Sequence, residues 1–270
     1  MNILETIVAH KQKEVEERKQ LRSISDLEKS VYFEKPKISL KKFLTDPHKT
    51  GIIAEFKRKS PSKGVINDKV TVTQVVTGYE SAGASAVSVL TDAAFFGGAD
   101  KDLSEARVAI HLPILRKDFI IEEYQIIEAK SLGANVILLI AAVLEAEKIK
   151  QLSTFAQSIG LEVLLEIHNQ EELFENTFDS IDVIGVNNRN LKDFSVSIQT
   201  SLKLAEIIPS HYLKISESGI SNTDSILILK RHGFNGFLIG ENFMKTENPG
   251  NALREFVREV HLKSETERKS

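Results

Sequence analysis

The sequence predicts a single-domain α/β protein: a (β/α)8 barrel of the TIM type that follows an N-terminal helical extension. From residue 51 onward, short apolar runs rich in β-branched residues alternate with amphipathic segments. This alternation is typical of a parallel sheet covered by helices. Eight strand–helix units in roughly 220 residues fit a closed barrel of this type. A doubly wound open sheet is the alternative, and it is disfavoured because no Gly-x-Gly-x-x-Gly motif follows an early strand.

The predicted elements follow one another in regular order. Strands are expected at residues 51–56, 86–90, 112–115, 135–140, 161–165, 182–186, 213–216 and 236–239. Helices are expected at residues 71–82, 102–109, 122–131, 145–158, 170–176, 197–207, 222–232 and 249–262. Glycines that end helices in the left-handed conformation are expected just before several strands: Gly83, Gly133, Gly160 and Gly233. We assign residues 1–48 to the extension, with a helix at 2–20 and an irregular or partly helical remainder, and residues 49–270 to the barrel.

Composition excludes several classes of function. The formal net charge is -3, which gives no indication of a nucleic-acid or membrane partner. The chain has no cysteine, so disulfides, thiolate metal sites and cysteine nucleophiles are excluded. The longest apolar run, residues 136–144, is too short to span a bilayer, and residues 1–11 lack the apolar segment of a signal peptide. We expect a cytoplasmic protein without metal, in which the scattered histidines have structural or solvent-exposed roles.

The first predicted strand ends in an acid and a base on one face. Side chains two apart on a strand point the same way, so Ile53, Glu55 and Lys57 share a face. Burying such charges is costly unless they are paired or used. Charged residues at the end of a strand can also simply reach solvent, so this segment alone leaves both interpretations open.

Polar residues follow most of the other predicted strands. Because the active site of such a barrel lies at the carboxyl ends of its strands, we expect these side chains to converge on one rim, where close lysines and carboxylates suit proton transfer. A rim of structural ion pairs is the alternative. The expected strand-end residues are Glu55, Lys57, Arg116, Lys117, Asp118, Glu166, Asn187, Asn188, Arg189, Asn190, Glu217, Ser218, Glu241 and Asn242.

The last two strand ends predict a phosphate site. Ser218 and Gly219 precede a predicted helix, and Gly240 and Glu241 begin a short one. Loops after the seventh and eighth strands, together with a helix N-terminus, commonly bind phosphate in this fold. The implied ligand is a sugar phosphate or a similar monoester, and Arg189 is a candidate for a second anion contact through its planar guanidinium.

Motifs along nearly the whole chain resemble the indole-3-glycerol-phosphate synthase family, in its monofunctional form. Residues 52–64 read IIAEFKRKSPSKG, which is similar to the family signature. The other similar segments occur in the family's order: ILETIVAHK at 3–11, SVLTDAAFFGG at 88–98, LRKDFI at 115–120, LEIH at 165–168, GVNNRNL at 185–191, SESGI at 216–220 and LIGE at 238–241.

The resemblance implies ring closure, decarboxylation and dehydration of 1-(2-carboxyphenylamino)-1-deoxyribulose 5-phosphate to indole-3-glycerol phosphate, a step of tryptophan synthesis. It implies that Lys117 is the general acid of ring closure, that Glu166 is the general base of dehydration, and that Lys57 contacts the substrate carboxylate. Which lysine acts at which step stays open. It further implies that the N-terminal segment lies over the catalytic rim.

The remaining residues also take their expected roles from the resemblance. Glu55 and Asn187 would orient the lysines and the substrate. Ser60 and Arg189 would lie at the carboxylate side, and Glu217 within the polar rim. Phe96 and Phe119 would pack on the anthranilate ring, and the phosphate would be bound by Ser218, Gly219, Gly240 and the backbone of Glu241.

The chemistry predicts no cofactor, because decarboxylation restores an aromatic ring and needs no electron sink. Two alternatives stay open beside the synthase. One is another phosphate-binding barrel enzyme such as phosphoribosylanthranilate isomerase, whose chemistry favours an acid–base pair that includes cysteine. The other is a catalytically silent barrel that binds sugar phosphates, against which the full set of strand-end acids and bases argues. The partner expected is a phosphorylated small molecule, and the sequence names no protein partner.

Overall fold

Eight parallel strands close into a barrel in the computed structural model of the chain, which describes residues 3–191 and 193–269. Each strand pairs with its neighbours in the sequence, and the first pairs with the last. The predicted barrel is therefore confirmed. The strands are β1 Ile52–Phe56, β2 Ala86–Leu90, β3 Ile114–Lys117, β4 Val136–Ile140, β5 Glu162–Ile167, β6 Val183–Asn187, β7 Leu213–Glu217 and β8 Gly236–Ile239.

Helices cover the outside of the barrel and lie within a few residues of their predicted positions, except that the last one ends seven residues beyond its predicted end. The four glycines expected to end helices all have φ between 79° and 94°. The helices that follow strands are Val72–Ser81, Asp100–Ala109, Glu123–Leu132, Ala146–Ser158, Gln170–Glu175, Gln199–Ala205, Thr223–Arg231 and Pro249–Lys269. Shorter helices lie at Ile24–Leu27, Leu40–Thr45, Ala93–Phe96 and Glu241–Met244, and residues Lys59–Ser60 and Gly64–Val65 form a small antiparallel hairpin.

The register of the sheet brings the polar strand ends to one level. Leu90 of β2 is paired with Lys117, and Ile140 of β4 is paired with Glu166. Asn187 at the end of β6 is paired with Glu217 at the end of β7. Because all eight strands are parallel, their carboxyl ends form one rim, and these side chains meet there.

The extension contributes to the barrel core at both ends. The N-terminal helix, Ile3–Leu21, packs the buried side chain of Ile7 against residues inside the barrel. At the opposite end, Leu40 and Leu44 are buried in the same interior cluster. Ser39 there donates a hydrogen bond of 2.6 Å to Glu162 at the start of β5. The predicted helix at 2–20 is thus observed from residue 3, and Asn2 lies outside the described residues. The boundary at residues 48 and 49 stays a prediction, although the extension packs as part of the barrel.

Strand β3 begins two residues later than predicted and includes Lys117. Proline has no N–H to donate to the sheet, and Pro113 contributes only its carbonyl, which accepts a 3.0 Å hydrogen bond from Val87. Side chains alternate along the strand, so Lys117 points into the barrel and Arg116 points outward. Arg116 is fully buried in the helical layer, where its Nη2 lies 2.7 Å from Glu128 and 3.0 Å from Asp100. The sequence predicted that Arg116 would lie with the strand-end polar groups on the rim. That prediction is wrong, because Arg116 lies in the helical layer.

Candidate active site

A cavity of about 640 Å³ opens at the carboxyl ends of the strands. Ile3, Leu4 and Ile7 of the N-terminal helix line one side of it, so that helix covers part of the rim. All fourteen residues to which the resemblance gives a role line this one cavity: Glu55, Lys57, Ser60, Phe96, Lys117, Phe119, Glu166, Asn187, Arg189, Glu217, Ser218, Gly219, Gly240 and Glu241. The other strand-end residues Arg116, Asn188 and Asn190 do not line it.

Lys117 lies between two carboxylates. Its Nζ is 2.5 Å from Oε2 of Glu217 and 3.1 Å from Oε2 of Glu166. Burial alone would lower the pKa of Lys117, but the carboxylates of Glu217, Glu166 and Glu55 outweigh burial and raise that pKa. The ammonium is therefore charged at neutral pH and carries a proton that can be donated into the cavity.

Glu166 is held as a carboxylate. Burial would raise its pKa, but Lys117, His168 and the amide of Asn187 together hold the pKa of Glu166 below its usual range. The side chain of Asn187 donates a hydrogen bond of 3.0 Å to Oε1 of Glu166. An ionised, oriented carboxylate can accept a proton from a bound molecule.

The carboxyl group of Glu217 is harder to ionise than an ordinary glutamate. Burial, opposed by Lys117 and assisted by the negative charges of Glu166 and Glu55, raises the pKa of Glu217 to about 7. Its Oε1 is buried and has no hydrogen-bond partner among residues 3–191 and 193–269. Glu217 shares the single ammonium of Lys117 with Glu166, so a proton on Glu217 is favoured near neutral pH.

Two glycines make space for the acids of the site. A Cβ atom at Gly240 would lie 2.5 Å from Oε1 of Glu55, and a Cβ atom at Gly185 would lie 2.3 Å from Oε1 of Glu217. Glu55 in turn pairs with Lys57, whose Nζ is 2.5 Å from its Oε1. The sequence linked Gly240 to close approach of an anion, whereas the contact observed here is with the side chain of Glu55.

The loop after β7 has a backbone conformation that suits a tight turn. Ser218 and Gly219 have φ of 67° and 73°, in the left-handed region where a non-glycine residue is uncommon. The buried amide of Asn188 holds this turn, because it donates a 3.0 Å hydrogen bond to the carbonyl of Ser218. After the neighbouring strand β8, the side chain of Glu241 lies 3.7 Å from Nζ of Lys63.

An aromatic surface and a polar edge complete the cavity. The rings of Phe96 and Phe119 have centroids 6.0 Å apart at an interplanar angle of 38°. Ser60 is buried in the hairpin after β1, and Arg189 is half-buried after β6, with its backbone N–H donating to Asn187 Oδ1 at 3.0 Å. The cavity can therefore hold a flat ring on one side and polar or charged groups on the other.

The structure adds residues that the sequence did not single out. Asn188 appeared only within a polar run, and its support of the turn depends on tertiary packing. The sequence assigned His168 a structural or exposed role with the other histidines, yet its ring lies beside Glu166. Lys11 was counted only as part of the first helix, and it forms buried ion pairs with Asp92 and Asp118. Its spacing of three residues from Val8 and four from Ile7 was the only signal that Lys11 lies on the buried face.

Within the described residues, no group of three or more His, Cys, Asp or Glu side chains could hold a metal ion. In the same part of the chain, no helix is long and apolar enough to cross a membrane.

Comparison with known sequences gives one consistent family. The model of the family described as indole-3-glycerol phosphate synthase matches residues 4–256. A relative from Bacteroides thetaiotaomicron named indole-3-glycerol phosphate synthase is 47% identical over 260 residues, covering 96% of this chain and 99% of the relative. A relative of the same name from Chromobacterium violaceum is 45% identical over 205 residues, covering 76% of this chain and 77% of the relative.

Comparison with solved structures supports the fold alone. The structure of KGPDC from Streptococcus mutans aligns with a TM-score of 0.59 at 12% identity, covering 78% of this chain and 97% of that one. The tryptophan synthase A-subunit from Pyrococcus furiosus aligns with a TM-score of 0.57 at 16% identity, covering 79% and 98%.

Proposed function

The chain belongs to the indole-3-glycerol phosphate synthase family, and from that premise we propose how the side chains of its cavity carry out the reaction. The protein is a carboxy-lyase of tryptophan biosynthesis. It converts 1-(2-carboxyphenylamino)-1-deoxyribulose 5-phosphate to indole-3-glycerol phosphate by ring closure, loss of CO₂ and loss of water. The assignment of roles to individual residues is our proposal.

One observation carries the assignment: the ammonium of Lys117 lies at the floor of the cavity, within 3.1 Å of both Glu166 and Glu217. Ring closure turns a ketone oxygen into a developing alkoxide, which a positioned acid stabilises by giving it a proton. We assign that donation to Lys117, since its proton is held at neutral pH and an alkoxide is far more basic than the two carboxylates.

Dehydration needs a base and an acid. Glu166 is the base in this proposal, because its pKa is held low and Asn187 fixes the orientation of its carboxylate. Glu217 holds Lys117 from the other side and prevents it from pairing with Glu166 alone. The leaving hydroxyl takes a proton from Lys57, or from Lys117 once solvent has restored the proton that Lys117 gave in ring closure, and both side chains line the same cavity.

The rest of the cavity binds the parts of the substrate that do not react. Phe96 and Phe119 pack on the anthranilate ring, and Lys57, oriented by Glu55, contacts its carboxylate together with Ser60 and Arg189. Loss of the carboxylate as neutral CO₂ is favoured once the developing electron pair returns to the aromatic ring.

The phosphate is bound at the loops after β7 and β8. We propose that the backbone of Ser218 and Gly219, and the backbone N–H at Glu241, contact the phosphate oxygens. The side chain of Glu241 is an unsuitable anion ligand. Its contact with Lys63 supports a backbone role, since it draws the carboxylate toward a cation at the cavity edge.

We further propose that the reaction needs no cofactor or metal, that no nucleic acid takes part, and that the enzyme acts in the cytoplasm. The reaction itself supports the first point, because every step is a proton transfer or the departure of CO₂ or water.

A turnover assay tests the function and its cofactor requirement together. Purified protein is expected to produce an indole product, followed by its absorbance and fluorescence, from the carboxyphenylamino substrate in buffer with excess EDTA. Loss of activity in EDTA and its return with a divalent metal would contradict the proposed chemistry. Glu166→Gln is expected to slow turnover at the dehydration step, which single-turnover traces would resolve as accumulation of a species after ring closure.

A further inference from the structure

The imidazole of His168 lies between two carboxylates. Its Nδ1 is 3.2 Å from Oε2 of Glu172, and its Nε2 is 3.5 Å from Oε1 of Glu166. The His168 side chain is only 10% exposed. It leaves the end of β5 two residues after Glu166, so both side chains are on the same face of the chain.

Only one protonation state of the ring suits this position. A neutral imidazole has one N–H and one nitrogen lone pair, so either tautomer would point a lone pair at a carboxylate. The imidazolium offers an N–H to each side. Nε2 is buried without a hydrogen-bond partner among the described residues, and Oε1 of Glu166 is the nearest acidic atom that it faces.

The surrounding charges favour the same state. Burial alone would lower the pKa of His168, but hydrogen bonding to Glu172 and the negative charges of Glu166, Glu172 and Glu217 outweigh burial and raise that pKa. The ammonium of Lys117 is bonded to the other oxygen of Glu166, Oε2. Glu172 is itself fixed, since it accepts hydrogen bonds from the backbone of His168 and from the side chain of Asn169.

We propose that His168 is a positioning residue for Glu166, held as an imidazolium by Glu172 so that its positive charge keeps Glu166 ionised and its Nε2–H orients Glu166 Oε1. This inference rests on the proposed role of Glu166 as the base. His168 does not line the cavity, so it acts on the reaction through Glu166. Oε1 of Glu166 would then be held by the amide of Asn187 and the imidazolium of His168, and Oε2 by the ammonium of Lys117.

The charge of His168 has a predictable effect on the base. A cation close to a carboxylate favours its ionised form. Removing that charge raises the pKa of Glu166, so the acidic limb of the pH–kcat profile moves to higher pH. A role confined to packing would lower stability or kcat without moving this limb.

The first experiment measures the protonation of His168 directly. Enzyme labelled at histidine is titrated by NMR, with the His168 signal identified by its loss in His168→Gln. His168 is expected to titrate above the ordinary value of 6.5, and to titrate lower in Glu166→Gln and in Glu172→Gln, while the signal of the exposed His111 stays unchanged. Titration of His168 at or below 6.5, or no response to either variant, would overturn the proposal whatever the role of Glu166.

The second experiment measures the effect on the reaction. In His168→Gln the acidic limb is expected to move up by about one pH unit, and His168→Lys, which keeps a cation, is expected to move it back. His111→Gln serves as the control. If the acidic limb of the pH–kcat profile does not move in His168→Gln, the proposal that His168 controls the ionisation of Glu166 is overturned. Full activity in Glu166→Gln would instead overturn the proposed base, and the NMR result would still report on the charge of His168.

Discussion

The ammonium of Lys11 lies 2.9 Å from Oδ1 of Asp118, the residue that follows Lys117 in the chain. It also lies 2.9 Å from Oδ2 of Asp92, which caps the short helix Ala93–Phe96. All three charged side chains are at most 1% exposed. Lys11 therefore ties the N-terminal helix to the two loops that follow β2 and β3, and it does so beside the proposed acid.

Replacing Lys11 by Met tests whether these two ion pairs hold the N-terminal helix against the barrel. The change keeps the volume of the side chain but leaves Asp92 and Asp118 without their shared cation, and breaking a buried pair in this way costs about 3–5 kcal/mol. We expect that loss in the free energy of unfolding measured with urea, together with a raised KM. Lys13→Met, on the exposed face of the same helix, is expected to change neither quantity. Equal stability of the two variants would show that Lys11 does not act as a tie.

Deleting residues 1–46 tests whether the extension is separable from the barrel. The deletion removes Lys11 at one end and the buried Leu40 and Leu44 at the other, so it exposes apolar surface inside the barrel. We expect a protein with a strongly lowered Tm and no measurable turnover, rather than a stable barrel with weakened binding. Calorimetry and the indole assay measure the two effects, and a deletion variant with the Tm of the full chain would contradict this account.

Gly240→Ala tests the space reserved for Glu55. The added methyl group would lie 2.5 Å from Oε1 of Glu55, so Glu55 and its partner Lys57 must move. A displacement of about 1 Å at a catalytic group can lower kcat on the order of 10²-fold. We expect this loss of kcat in Gly240→Ala. In a Glu55→Ala background, we expect Gly240→Ala to lower kcat by a smaller factor. Strict additivity of the two substitutions would assign the effect of Gly240 to the phosphate alone.

Glu217→Gln tests the raised pKa of Glu217 through stability. The folded state holds the proton of Glu217 up to about pH 7, against an ordinary value of 4.5, so the folded state binds more protons than the unfolded state in that window. This group therefore makes wild-type stability fall as pH rises from 4.5 to 7. The difference between the folded-state pKa of about 7 and the ordinary value of 4.5 corresponds to a fall of about 3 kcal/mol in the free energy of unfolding.

The variant lacks that titration. The free energy of unfolding of Glu217→Gln relative to wild type is expected to rise between pH 5 and pH 8, whatever constant difference the lost ion pair adds. Urea titrations across this range measure it. A difference that stays flat with pH would mean that Glu217 titrates at its ordinary value.

The barrel and the rim could be predicted because their signals are local. An apolar run that ends in a polar group marks a strand end, and a parallel barrel brings all such ends together, as it does for Glu55, Glu166 and Asn187. The alternation of side chains along β3 was less predictable, because Pro113 shifts the start of the strand. The shift brings Arg116 and Lys117 inside the strand, where the alternation puts them on opposite faces.

Contacts between distant parts of the chain could not be predicted from the sequence. Lys11 meets Asp118 across more than a hundred residues, and nothing near either residue indicates the pairing. The space that Gly185 leaves for Glu217 depends on two neighbouring strands. His168 lacks the spacing of a metal-binding histidine, and its place between two carboxylates follows from the turn after β5.

The most direct test of the central proposal, that Lys117 donates the proton of ring closure, is the single-turnover rate of Lys117→Arg. Arginine keeps a cation between Glu166 and Glu217, so the fold is retained and circular dichroism should be unchanged, but a guanidinium gives up its proton far less readily than an ammonium. We predict a rate lowered by roughly 10²–10⁴-fold, with the exposed Lys101→Met as an unaffected control. A folded Lys117→Arg variant that turns over at about the wild-type rate would contradict the account.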